Sequence, residues 1–349
     1  MRVAALAAAL LAGAALTVHA QGTPFRIPAR AVPGAVAAPW KEALPQAHGL
    51  DPARVAALPA TLKAQVPRLK GLVVTRNGEL LFEYYREGYG PDDLHNVASV
   101  AKSLASALVG IAVEEGHIKS LDQKAAALLP AAMLPAGDSR FADVTVRHLL
   151  TMSSGLRKDE RGGWSKAGTI VKRPMAAVAG AVFDYDSGPS HLLSVILTER
   201  TGMSAAQYAE KKLFAPLGIA RYNWLGDDEG YSYASHDAYM TPRDMARFGQ
   251  LYLQGGAWNG RQVVPAAYVA ESVRKQVATR LSDAPEYGYL WWPTLSTADT
   301  PAYSAVGYGG QYIFVVPRQS LVVAAVSDQE SSGEGAGFIR LFVLPAFWK

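Results

Sequence analysis

The chain has 349 residues, with 34 basic and 30 acidic side chains, seven histidines and no cysteine. The lack of cysteine excludes disulfides, thiolate catalysis and cysteine–metal sites, and basic residues that are scattered rather than clustered leave no footprint for nucleic acid or a membrane surface. At 50% hydrophobic and 18% charged residues, the composition is that of a globular protein with a generous core, enough for one large domain or two.

Residues 1–20 read as a secretory signal peptide. Arg2 is the charged start, residues 3–18 form an Ala/Leu-rich core, and Val18-His-Ala20 places small residues at −3 and −1. The stretch is shorter than the roughly 20 apolar residues that span a bilayer, and no cysteine follows it to carry a lipid. The expected location is secreted or periplasmic, with no stable membrane insertion after cleavage. Residues 21–52 carry six prolines and little periodicity, which predicts an extended arm.

A short helix is expected from Pro52 to about Leu69, then two strands, 71–76 and 79–85, joined by a tight turn at Asn77-Gly78. From about Ala98 a helix follows that is apolar on nearly all sides and ends at Gly116, a residue suited to a left-handed cap. Helical spacing dominates 117–284, clearest in 144–152, 191–200 and 242–253. Strand patterns return at 287–292, 311–316 and 321–326, and 338–348 reads as a closing helix. The fold class predicted is α+β. One antiparallel sheet is formed by 53–97 and 285–349 and flanked by helices, with a mostly helical domain, 98–284, inserted.

The stretch that carries chemistry is Ser99-Val-Ala-Lys102. At i and i+3 on a helix, the hydroxyl and the amine leave the same face. A lysine has a reference pKa of about 10.4, and burial lowers it by disfavouring the charged form. The apolar run after Lys102 supplies that burial, and its place in the first turn puts it near the positive end of the helix dipole. Ser99 is therefore the candidate nucleophile and Lys102 its base. The same pattern recurs at Ser272-Val-Arg-Lys275, but Glu271, Arg274 and Gln276 mark a solvated face where the amine stays charged.

Such a hydrolase needs a proton shuttle and an oxyanion hole. Two Tyr-x-Ser segments compete for the shuttle, Tyr185-Asp-Ser187 and Tyr233-Ala-Ser235. The first is preferred partly because it lies in a turn feeding a helix, where Tyr185 and Ser187 can both project into a cleft, and partly on the family resemblance given below. The cation is expected to lower the phenol pKa. For the oxyanion, Ser99 N–H is one donor. The Gly307-Tyr-Gly-Gly310-Gln311 stretch brings a little-obstructed backbone, with Gln311 N–H as the second donor, Gly310 giving close access and Tyr308 lining the pocket. His191, His236 and Asp237 invite a Ser-His-Asp reading, but no Gly-x-Ser-x-Gly elbow accompanies them. No His-Glu-x-x-His motif or clustered carboxylates argue for a metal. Trp164, Trp291 and Trp292 are candidates for an acyl-pocket wall, with core packing the stronger role for the last two.

In this order, Ser99-x-x-Lys102, Tyr185-x-Ser187 and Tyr308-Gly-Gly310 resemble the serine β-lactamase/penicillin-recognising hydrolase superfamily, closest to its class C-like branch of esterases and 6-aminohexanoate-dimer hydrolases. Residues 144–155, 239–249 and 307–317 extend the likeness, which covers roughly 70–345. The resemblance implies a sheet domain and a helical domain with a cleft between them, and acyl-serine chemistry without metal or organic cofactor. Members that recognise penicillin usually carry Lys-Thr-Gly on the late strand, where this chain has Tyr308-Gly309-Gly310, and many β-lactamases have asparagine at the position of Ser187. Without that lysine an anchor for the β-lactam carboxylate is missing. A small-molecule ester or amide is the expected substrate. A β-lactamase or D-Ala-D-Ala carboxypeptidase, and a non-catalytic peptidoglycan- or ligand-binding module, remain the alternatives.

Overall fold

The computed structural model describes residues 28–35, 39–134, 139–159, 166–297, 300–329 and 335–348. Residues 1–20, where a signal peptide is expected, and Trp164 lie outside the described residues. Six strands form the main sheet: β1 (Leu69–Arg76), β2 (Glu79–Tyr85), β6 (Trp292–Thr297), β7 (Thr300–Gly307), β8 (Gln311–Val316) and β9 (Leu321–Ser327). Their spatial order is β6-β7-β8-β9-β1-β2, and every pairing is antiparallel. Both ends of the chain thus meet in one α+β sheet, with β9 against β1. Asn77 and Gly78, at φ 51° and 78°, make the tight turn of the first hairpin.

A smaller sheet stands beside the main one. It is made of Arg30–Ala31, β4 (Arg221–Trp224), β5 (Ala238–Met240) and β3 (His95–Asn96), in that order. Its first member belongs to the proline-rich arm. Farther along the arm, the Lys41 carbonyl and the Ala43 N–H bond Leu80, so this part runs along the edge of β2.

Both faces of the main sheet are covered, and β8 and β9 show it by being apolar at nearly every position. On β9, Leu321, Val323 and Ala325 face one core, while Val322, Ala324 and Val326 face the other. The first core is closed by α1 (Pro52–Gln65) and the C-terminal helix α5 (335–347), whose middle turn, Ile339–Val343, is a π-turn. The second is closed by α2 (Val100–Glu114), α3 (Ser187–Thr201), α4 (Pro242–Leu253) and the shorter helices around them. Residues 100–112 of α2 are buried on every side, as expected of a helix threaded through a core. Helix α4 starts at the Thr241 cap with Pro242 in its first turn. A Cβ on its Gly249 would come within 2.6 Å of Val322 and 2.7 Å of Ile313, so glycine lets the helix rest on the sheet.

Two expectations change. Helix α4 lies inside the segment read as a helical domain, yet it packs on β8, β9 and β1; it belongs physically to the sheet. The strand read at 287–292 breaks: Gly288 N–H bonds the Trp291 carbonyl, Leu290 takes φ 59°, and extended pairing resumes only at Trp292. Beyond it, β7 carries Pro301, Ala302, Ser304 and Ala305, with few of the branched or aromatic residues that signal a strand, and shows in the structure alone.

Candidate active site

Ser99 caps the N-terminus of α2 at the point where the chain leaves β3. The residue before it, Ala98, holds φ 47°, a left-handed conformation that costs an alanine about 1–2 kcal/mol. That conformation is supported by a hydrogen bond from Ala98 N–H to Asn96 Oδ1 (2.8 Å) and by one from Val97 N–H to the Ala238 carbonyl (2.8 Å). Val100, Ala101 and Lys102 donate to the carbonyls of Val97, Ala98 and Ser99, which starts the helix directly beneath the serine. Ser99 is half-buried, and one turn later Lys102 is 1% exposed.

Lys102 Nζ has three partners: Ser99 Oγ at 2.9 Å, Ser187 Oγ at 3.1 Å and the Ser235 carbonyl at 2.8 Å. Burial pushes its pKa from the usual 10.5 down to about 7, against the opposing pull of the Asp186 carboxylate. The neutral amine has two hydrogens and one lone pair. A carbonyl can only accept, so Ser235 takes one hydrogen. With Ser187 accepting the other, the lone pair faces the Ser99 hydroxyl, the arrangement a proton acceptor needs.

Tyr185 and Ser187 arrive from the start of α3. Its cap is Asp186, which accepts the Gly188 N–H at 2.9 Å and pairs with Arg173 Nη1 at 2.9 Å, both partners buried. The Tyr185 ring lies 5.2 Å from Lys102 Nζ, and the Ser99 hydroxyl is near enough to the phenol to favour its ionised form. The ring stacks on Trp292 at 5.7 Å and meets Tyr287 edge-on at 6.3 Å; Phe183 completes the cluster. The expected depression of the phenol pKa is not found. Burial raises it to about 12, only partly offset by the nearby Ser99 hydroxyl. With the amine held near neutrality there is little cation to pull the proton off, so Tyr185 stays a phenol.

Gln311 opens β8 paired with Gly307, the last residue of β7, and its side-chain amide donates to the Ser327 carbonyl at 2.8 Å. Gly307 meets the segment that leads into Ser99, since a Cβ there would lie 2.4 Å from Val97 O and 3.2 Å from Ala98 Cβ. Gly310, at φ 86°, is pressed against Ser327 and Gln329, and Tyr308 is 38% exposed just after Gly307.

The remaining candidates fall into place around this cluster. His191 is fully buried and bonds Asp227 at 3.0 Å. His236 Nδ1 lies 3.1 Å from Asp237, close enough to Lys102 for the two to repel when charged, but Lys102 occupies the place beside Ser99. Trp291 is buried among Phe248, Tyr252 and Tyr303, whereas Trp292 touches the Tyr185 ring. Three contributors escaped the sequence reading: the Ser235 carbonyl, the Asn96 amide and the Asp186–Arg173 pair. The Tyr233-Ala-Ser235 pattern was a signal for the first, though its part is played by backbone. Among the described residues no group of three or more His, Asp or Glu is placed to hold a metal ion.

Comparison with known proteins agrees with this architecture. A curated 6-aminohexanoate-dimer hydrolase from Paenarthrobacter ureafaciens is 27% identical over 283 residues, 73% of this chain and 71% of that protein. A solved Bacillus anthracis structure, whose name assigns it provisionally to the same hydrolases, superposes with a TM-score of 0.73 at 22% identity, covering 91% of this chain and 89% of the other. A D-stereospecific amidohydrolase from a Streptomyces species gives 0.65 at 17% identity, over 82% and 98% of the two chains. At these identities the two structures speak for the fold alone. The family model described as Beta-lactamase matches residues 62–344, from within α1 into α5, and the chain belongs to that family.

Proposed function

We propose that the chain is an exported serine hydrolase that cleaves esters or small amides through an acyl-serine intermediate. The observation that carries this reading is a buried amine, poised to be neutral near pH 7, 2.9 Å from a hydroxyl at the head of a helix. Ser99 Oγ attacks the substrate carbonyl while Lys102 takes its proton. The developing oxyanion is met by the Ser99 N–H and a backbone N–H of the Gly307–Tyr308 segment bordering Ala98. Tyr185, protonated at working pH, gives its proton to the departing alcohol or amine and is reprotonated from Lys102. Water then attacks the acyl-serine, its proton passes to Lys102, and Ser99 regains a hydrogen as the acid leaves. The balance is one ester or amide plus one water to one acid and one alcohol or amine.

Substrate choice follows from the walls. The ring cluster of Trp292, Tyr287 and Phe183 offers an apolar side to an acyl group, and Tyr308-Gly309-Gly310 carries no cation for a β-lactam carboxylate. A relative named for hydrolysing a 6-aminohexanoate dimer and a structural neighbour named as an amidohydrolase support amides beside esters. The test is a panel of p-nitrophenyl butyrate, linear amides and penicillin, run with a fluorophosphonate probe and peptide mapping. Ester or amide turnover with the probe on Ser99 is expected. Penicillin as the preferred substrate would move the assignment to a β-lactamase or carboxypeptidase. An unlabelled, inactive protein would make it a binding module.

A further inference from the structure

The nucleophile's geometry depends on two side chains that take no part in the chemistry above. Asn96 Nδ2 donates to Asp237 Oδ1 at 2.8 Å, and Asn96 Oδ1 accepts the N–H of Ala98 at 2.8 Å. A carboxylate only accepts and a backbone N–H only donates, so Asp237 dictates which way the Asn96 amide faces. Turned the other way, Asn96 would present hydrogens to a hydrogen and an oxygen to an anion. Asp237 is itself held: it is 8% exposed, sits at φ 56°, and has His236 Nδ1 3.1 Å from its second oxygen. The same loop delivers the Ser235 carbonyl to Lys102 and the Ala238 carbonyl to Val97. One short segment, 235–238, therefore touches the base directly and the nucleophile through Asn96.

We propose that Asn96 and Asp237 form a positioning pair that holds Ala98 in its left-handed conformation and thereby aims Ser99 Oγ at Lys102 Nζ. The proposal rests on the serine-hydrolase reading. Left-handed alanine is strained and persists only where its surroundings over-determine it. The bond to Asn96 fixes the plane of the peptide entering Ala98. Release of that peptide lets Ala98 relax to negative φ, which swings Ser99 away from the amine while leaving the binding walls in place.

Substitutions at both positions, in the full exported chain, test this. Asn96→Asp sets two carboxylates face to face and is expected to lower kcat about 100-fold with KM within about twofold of wild type. Adding Asp237→Asn restores a donor opposite an acceptor while the new carboxylate still accepts from Ala98, so the swapped pair should recover most of the lost kcat. Asn96→Ala removes the bonds without repulsion and should slow Ser99 labelling by fluorophosphonate about tenfold; it serves if the charged variant does not fold. Wild-type kcat and labelling rate in folded Asn96→Ala, or a swap no better than the single variant, would overturn the pair's role. Ser99→Ala run alongside separates the two ideas. If it stays active, the serine reading fails; if it is inactive while Asn96→Ala is unimpaired, only the positioning pair fails.

Discussion

Two Ser-x-x-Lys segments in one chain make a natural control. At Ser99–Lys102 the lysine is buried and the serine half-exposed. At Ser272–Lys275 the arrangement is inverted: Ser272 is fully buried, its hydroxyl spent on the Val269 carbonyl at 2.9 Å, and the Lys275 side chain is 54% exposed beside Glu286. The first serine heads its helix and the second closes one, Ala266–Ser272. The same letters thus give a buried amine beside a half-exposed hydroxyl in one place and a helix end with a solvated lysine in the other. What differs is which partner loses its water, and only removal of water from the amine brings its pKa near neutrality.

Alanine substitution breaks the comparison most sharply. Ser99→Ala should lower kcat by about 10⁴-fold or more, measured on p-nitrophenyl butyrate. Ser272→Ala should leave kcat unchanged and cost about 1 kcal/mol in a urea melt, the worth of one buried hydrogen bond. Equal activity losses at the two serines would remove the distinction.

Lys102→Met comes next, with a loss of about 10³-fold for a general base and an effect on stability whose sign is fixed. The folded protein holds Lys102 at a pKa of about 7, below its unfolded value of 10.5. Between those values the unfolded chain binds a proton that the folded one does not, so the wild type gains stability as pH rises from 7 toward 10.5. Below 7 the cost of burying the ammonium is fully present. The variant should therefore exceed the wild type in stability by a larger margin at pH 6 than at pH 10, by on the order of a few kcal/mol. Thermal melts of the variant and the wild type at the two pH values decide it.

Much of this site was legible because it depends on residue type. The apolar run after Ser99 announced a buried helix, the Asn77-Gly78 turn announced the first hairpin, and Phe183-Asp-Tyr-Asp-Ser-Gly188 placed a tyrosine at a helix start. What escaped notice depends on backbone or on distant pairing. The Ser235 carbonyl could be supplied by any residue, so no side chain marks it. Asn96 meets Asp237 across 141 positions of sequence, and nothing local to either signals the pairing. The oxyanion donors are marked only loosely for a related reason: the glycine richness before Gln311 shows that backbone is accessible but not which N–H faces out. The Tyr185 pKa was misjudged in sign because two effects oppose, and burial of the ring outweighs a lysine that burial has also made largely neutral.

The smallest effect separates the two lysines through their acids. With Lys102 as the base and Tyr185 protonated to about 12, kcat/KM should rise with pH through a midpoint near 7 and stay high across the alkaline range. Asp186 pulls the Lys102 pKa upward, and it also neutralises Arg173. Asp186→Asn removes the negative charge that pulls the Lys102 pKa up and leaves the Arg173 guanidinium with Asp159, 3.6 Å away, as its remaining carboxylate. The acid limb should therefore move to lower pH, with some loss of stability for the weakened buried pair. Glu286 stands 3.5 Å from Lys275, but both side chains are at least 40% exposed, so water screens the pair. Glu286→Gln should leave the pH profile and the melting temperature where they were. An acid limb that stays in place in Asp186→Asn would mean that the ionisation controlling activity is not that of Lys102, whatever the loss of stability.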